Sequence, residues 1–223
     1  MRCTSYRVGT LIVWVGLLLA FSASTAYADP FGWAGGYNFY QNRGVAADIE
    51  TANPYSPSPG YSSAYVMTCQ VSGADSEYIQ IGWTKDVGLL SPDIQYFWEW
   101  WNDYTEQHAQ SYWGSPSVGS YHNYMIYANA TSWIFALDGV GLTSMPVGYM
   151  TYWPNEIQFF GETSDYYHNR YPGSTSNACN FNNGKYYYNG SWWKAYYYNE
   201  ADTYSSSSAG SSSSSSFSIN DTR

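Results

Sequence analysis

The stretch Glu156-Ile157-Gln158-Phe159-Phe160-Gly161-Glu162-Thr163 decides how the chain is read. In an extended strand, successive side chains point to opposite faces. Glu156, Gln158, Phe160 and Glu162 then share one face, and Ile157, Phe159 and Gly161 share the other. Such a strand is half-buried, with its carboxylates and amide on a polar surface or groove opposite the core. Gly161 leaves space on the chain beside Glu162 for a ligand. The polar face is either a solvated sheet surface or a catalytic one.

The same two-residue period recurs along the chain. Gly44 to Glu50 alternates weakly and reads as a strand. Ser63 to Val71 puts Tyr65, Met67 and Cys69 on one face, and Ala64, Val66 and Thr68 on the other. Tyr78 to Thr84 sets Ile79, Ile81 and Trp83 against Tyr78, Gln80 and Gly82. Gln95 to Trp101 sets Gln95, Phe97, Glu99 and Trp101 against Tyr96, Trp98 and Trp100. Tyr121 to Ala128 and Thr131 to Leu137 bracket a hairpin at Asn129-Ala130, and Asp138-Gly139 is a turn signal. Val147 to Tyr152 reads as a further strand ended by Pro154. Helical periodicity is nearly absent after the first 28 residues. Short strands at turn-punctuated spacing predict an all-β, antiparallel two-sheet β-sandwich.

Composition narrows the function classes. Arg2 and Arg7 precede an apolar run from Leu11 to Phe21, and Ala26-Tyr27-Ala28 is a small-x-small cleavage site. Residues 1–28 therefore read as a secretory signal, and the product is expected to be secreted, with no membrane association afterwards. Loss of Arg2 and Arg7 from the 8 basic residues leaves 6 against 17 acidic ones, a net charge of −11. That excludes a nucleic-acid partner, which requires a basic footprint. Residues 29–43 form an N-terminal segment without clear period, 44–203 the sandwich domain, and 204–223 a Ser-rich disordered tail. Aromatic residues reach 21% of the chain against 11% charged. Rings in that number suit pleated strands and also line sites that grip sugars or peptides.

Cys69 and Cys179 remain after signal removal. An even pair in an oxidising compartment is first read as a disulfide, closing a loop of about 110 residues worth up to ~4.7 kcal/mol. Two free buried thiols are the alternative. His108, His122 and His168 show no metal-ligand spacing, and no metal or other cofactor is expected.

Several stretches together resemble a known family. Gly44-x-x-Ala47-x-Ile49, Tyr78-Ile79-Gln80-Ile81-Gly82-Trp83, Trp133-Ile134-Phe135, Tyr152-Trp153-Pro154 and Gln158-Phe159-Phe160-Gly161-Glu162 resemble the neprosin-type glutamic peptidase domain. More distantly, the Tyr78 to Gly82 strand, Trp98-Glu99-Trp100 and the stretch ending in Glu162 are similar to the eqolisins, the fungal glutamic peptidases. The resemblance covers about Gly44 to Asp165. It implies a concanavalin-like jelly roll whose concave face carries a catalytic dyad, with Gln80 in the first position and Glu162 in the second. Gln80 departs from neprosin, which has a glutamate there, and agrees with the eqolisins. The Ser63 to Val71 strand lacks the Gly-Ile-Asp-Gly run of the eqolisins. The neprosin likeness also implies proline-directed cleavage.

The residues suit that chemistry. Glu162 can take a proton from water and return it to a leaving amine, while the Gln80 amide orients the water and donates to the tetrahedral oxygen. Glu99 is placed to hydrogen-bond to the dyad. Phe97, Trp101 and Phe160 are expected as substrate walls, with Gln158 a polar neighbour. The expected product is a monomeric endopeptidase acting on a peptide or protein substrate at acidic pH. The alternative is a non-catalytic sandwich binding glycan or cell-wall material through its aromatic surface. A weaker third reading is a glycosidase using Glu99 and Glu162.

Overall fold

The computed structural model describes residues 31–56, 60–72, 75–86, 93–164, 169–174, 178–201, 205–208 and 215–223. The signal segment expected at 1–28 and His168 lie outside the described residues. Two antiparallel sheets form a sandwich. The first sheet runs in the order β13 (Tyr198–Ala201), β1 (Gly32–Asn38), β10 (Glu156–Thr163), β3 (Tyr61–Ser72), β4 (Asp75–Asp86), β5 (Ile94–Asn102) and β6 (Gln107–Trp113). The second runs β14 (Ser205–Ser207), β15 (Phe217–Asp221), β11 (Cys179–Tyr188), β2 (Gly44–Glu50), β7 (Tyr121–Ala128), β8 (Ser132–Leu137) and β9 (Val140–Pro146). A short β12 (Ser191–Lys194) is hairpinned onto β11.

The core lies between the sheets and follows the alternation in the sequence. Ala64 and Val66 of β3, Ile79, Ile81 and Trp83 of β4, and Ile157 and Phe159 of β10 point inward. They meet Val45, Ala47, Ile49, Tyr124, Ile126, Trp133 and Phe135 of the second sheet. The opposite parity builds a smaller apolar patch on the outer face of the first sheet, from Tyr65, Met67, Cys69, Tyr78, Phe97 and Phe160. All eight residues of β10 are buried. The deciding stretch is therefore a central strand covered on both faces, with β1 and β3 as its neighbours, and is not half-exposed.

Four expectations change. Val147 to Tyr152 is not a strand but a single 3-10 turn at Val147–Tyr149 followed by bends. The strand lies before it, because Asp138 and Gly139 both take left-handed angles and fold β9 directly back on β8. Residues 29–43 do not stand outside the domain: β1 occupies the place between β10 and β13. Its glycines, Gly32, Gly35 and Gly36, remove the side-chain alternation by which a strand is recognised. The 204–223 tail is not wholly disordered, since β14 and β15 extend the second sheet. Phe217 stacks on Phe181 with ring centroids 4.8 Å apart, and Ile219 is fully buried. Finally, Cys69 and Cys179 are both buried and are not joined in a disulfide. Cys69 belongs to the outer patch of the first sheet. Cys179 faces the inter-sheet core, where its thiol donates to the Glu50 carbonyl at 3.3 Å. Burial pushes the Cys179 thiol well above its ordinary range, so it stays protonated.

The C-terminal strand is tied down by a buried carboxylate. Asp221 accepts from Arg170 at 3.0 Å, from Arg223 Nη2 at 2.7 Å and from the Tyr171 backbone N–H at 3.1 Å. Burial pushes the Asp221 carboxyl upward, but the Arg223 hydrogen bonds, the Tyr171 N–H and the Arg223 charge outweigh it and hold the group below its usual range. A depressed folded pKa stabilises the fold above the ordinary carboxylate pKa, and that contribution is lost as pH falls through the folded value. Asp221→Asn is expected to cost about 1.5–3 kcal/mol near neutral pH. Its thermal midpoint should converge on that of the wild type toward pH 2. Scanning calorimetry across that range checks this; a midpoint deficit independent of pH would contradict it.

Candidate active site

The outer face of the first sheet carries the polar residues singled out in the sequence, and strand register explains how each is held. Glu162 on β10 lies directly across from Ser63 on β3. Its diagonal neighbours on β3 are therefore Tyr61 and Tyr65, two residues to either side and on the same face. The small Ser63 side chain lets both long phenols close over the carboxylate. Tyr61 donates to Oε1 at 2.6 Å and Tyr65 to Oε2 at 3.0 Å. Glu162 is only 9% exposed, so these donors replace water at a carboxylate that has little. Burial and the adjacent Glu162 charge push the Tyr65 phenol well above its ordinary range, so Tyr65 remains a donor across the working pH scale.

Gln80 on β4 pairs directly with Glu99 on β5. The Gln80 Nε2–H donates to Glu99 Oε2 at 2.5 Å. The other oxygen, Oε1, accepts from Nε2–H of His108 on the edge strand β6 at 2.8 Å. An ionised carboxylate only accepts, so this arrangement requires a proton on His108 Nε2 and turns the nitrogen end of the Gln80 amide toward Glu99. Glu99 is 4% exposed and Gln80 8%.

Glu162, Gln80 and Glu99 line one open cleft. Tyr78, Phe97 and Tyr112 supply rings to its lining, and Ser63, Thr84 and Asp86 supply polar groups. Glu162 and Gln80 do not share a rung of the sheet. The rung of Glu162 continues through Ser63 to Thr84, and that of Gln80 runs between Met67 and Glu99. Between them lies the rung Tyr65–Gly82–Phe97, where β4 carries no side chain. A Cβ at Gly82 would sit 2.0 Å from the Ala64 carbonyl oxygen, so glycine is required by the close approach of β3. The glycine before Glu162 has a different reason from the one expected. Gly161 faces the core, where a Cβ would meet Pro172 at 2.8 Å, and it opens no path for a ligand.

Of the other expected residues, Phe97 lines the cleft. Phe160 packs in the apolar patch with Tyr65 and Met67. Trp101 is turned toward the β5–β6 end, where its indole N–H donates to Asp103 and its ring lies 5.2 Å from His108. Gln158 is buried against its own strand neighbour, donating to Glu156 Oε1 at 2.7 Å. Tyr61, Tyr65 and His108 are contributors that sequence reading missed as site residues. The parity of β3 identifies Tyr61 and Tyr65 as facing with Met67. Only the strand order makes them neighbours of Glu162.

The antiparallel two-sheet sandwich is the fold of the glutamic peptidases known as eqolisins, as the comparison with solved structures shows. Scytalido-glutamic peptidase with a transition-state-analogue inhibitor superposes with a TM-score of 0.58 at 15% identity. The match covers 85% of this chain and 98% of that one. SCP-B, a member of the eqolisin family in a complex with the tripeptide Ala-Ile-His, gives a TM-score of 0.53 at 14% identity with the same coverage. The chain matches no protein-family profile and no curated protein sequence. At these identities the likeness is one of fold, extending over nearly the whole length of those peptidases.

Tyr65→Phe removes one of the two phenol donors from a buried carboxylate while keeping the ring. It is expected to destabilise the protein by about 1–3 kcal/mol. Urea unfolding near neutral pH measures this, and a change within about 0.3 kcal/mol would mean that Tyr65 does not hold Glu162.

Proposed function

We propose that the protein is an exported glutamic-type endopeptidase that hydrolyses peptide bonds with Glu162, Gln80 and a water molecule. The observation that carries this reading is the placement of the two groups. A buried glutamate held by two phenols and a glutamine held by a buried carboxylate face one cleft across a rung of β4 that has no side chain. The eqolisin fold supports the same reading.

In the proposed reaction a substrate carbonyl lies over the Gly82 rung. The Glu162 carboxylate takes a proton from water as the water oxygen bonds to the carbonyl carbon. The carbonyl oxygen gains the negative charge and accepts a hydrogen bond from the second N–H of Gln80, the first being committed to Glu99. Collapse of the tetrahedral intermediate breaks the C–N bond, and Glu162 returns its proton to the leaving amine. The donors from Tyr61 and Tyr65 fix the orientation of the carboxylate that takes the proton. The proposed substrate is a peptide or unfolded protein, and the proposed optimum is acidic.

Incubation of the mature protein with a denatured protein substrate from pH 2 to pH 7 tests the proposal. Cleavage is expected, greatest below neutral. Glu162→Gln should lower kcat by at least about 100-fold, and Gln80→Ala by about 100- to 1,000-fold. Absence of cleavage at every pH, or cleavage that survives Glu162→Gln, would refute the assignment.

A further inference from the structure

We infer that His108 is a positioning residue for the cleft, setting the orientation of Gln80 through Glu99. The inference rests on the peptidase reading above and adds to it a residue on a strand outside the dyad.

Three adjacent strands contribute to one hydrogen-bond chain. His108 of β6 donates to Glu99 Oε1 at 2.8 Å, and Gln80 of β4 donates to Glu99 Oε2 at 2.5 Å. The chain runs from the sheet edge inward: the His108 side chain is 31% exposed and that of Glu99 6%. The imidazole is itself held in place. Trp101, directly across from it on β5, lies 5.2 Å away at an interplanar angle of 52°, and the Trp101 indole is fixed by Asp103.

This chain governs what Gln80 presents to the cleft. A side-chain amide has a donor end and an acceptor end that exchange on a half-turn about its last torsion, at little steric cost. Only one orientation offers N–H to a developing oxyanion while leaving C=O for water. Glu99 selects it, because an ionised carboxylate cannot donate. Glu99 can select it only while its Oε2 stays on Gln80. His108 secures this by occupying Oε1 with a hydrogen-bond donor. Without that donor the buried carboxylate is free to rotate away from Gln80, and the amide orientation is no longer selected. His108 touches neither substrate nor water in this scheme and acts through Glu99.

The test compares His108→Phe, which keeps a ring against Trp101 but has no N–H, with His108→Gln, which restores an N–H donor near the Nε2 position. Turnover of a quenched fluorogenic peptide is measured for the wild type, both variants and Glu162→Gln. His108→Phe should lower kcat roughly tenfold with KM changed less than about twofold, since positioning rather than binding is lost. His108→Gln should stay within about threefold of the wild type. Wild-type kcat in His108→Phe, or a His108→Gln variant no better than the Phe variant, would overturn the inference. If the wild type does not cleave, or Glu162→Gln leaves cleavage intact, the peptidase reading has failed separately. The positioning claim is then read from the Gln80 side-chain amide protons by NMR. In the wild type and His108→Gln one of the two protons should be shifted downfield and protected from exchange. That signature should be lost in His108→Phe, and its persistence there would overturn the claim whatever the protein's activity.

Discussion

The two phenol hydrogen bonds to Glu162 are the interaction around which the outer face of the first sheet is arranged. A carboxylate on a strand with eight buried residues has lost most of its water, and the effective cost of that loss is several kcal/mol for an unpartnered ion. Two of its hydrogen-bond donors are neutral phenols. Neutral donors stabilise the ionised form without neutralising it. A cation in direct contact would hold the carboxylate ionised but weaken it as a base. Tyr61 and Tyr65 can fill this role because Ser63, the residue directly opposite Glu162, is small.

Another buried glutamate shows the contrast. Glu77, on the inward parity of β4, accepts backbone N–H bonds from Thr151 at 2.8 Å and from Tyr152 at 3.2 Å, and its side chain pins the loop after the 3-10 turn to the sheet. These contacts are with backbone, and Glu77 is not part of the cleft lining. Glu162 and Glu99 instead spend their acceptor capacity on side chains that line or border the cleft. Burial alone therefore does not distinguish these carboxylates; the identity of the donors and the face of the strand do.

Strand parity was largely legible in the sequence, because buried and outward residues alternate with a period of two. Gln80 with Tyr78 and Gly82, and Glu162 with Phe160 and Gln158, fall on the outer face as the alternation requires. What the alternation cannot carry is which strand lies beside which. Tyr61 and Glu162 are 101 positions apart and meet only because β10 pairs with β3. The same gap explains the cysteines. Cys69 shares the parity of Tyr65 and Met67, but only the assembled sandwich shows that Cys179 faces the inter-sheet core. Two strands were hidden by composition. Glycines mask β1, and a serine run masks the short alternation of Phe217, Ile219 and Asp221 that forms β15. His108 gave no signal at all, since an edge-strand histidine is informative only once its carboxylate partner is known.

The central claim is that Glu162 and Gln80 act on one substrate carbonyl over the Gly82 rung. A crystal structure of the mature protein with a peptide whose scissile bond is replaced by a hydroxyl-bearing tetrahedral isostere tests it most directly. The account predicts the peptide in the cleft, its tetrahedral oxygens within about 3.2 Å of both a Glu162 carboxylate oxygen and Gln80 Nε2, the range of a normal hydrogen bond. A peptide bound elsewhere, or one in the cleft whose tetrahedral centre touches neither side chain, would contradict it.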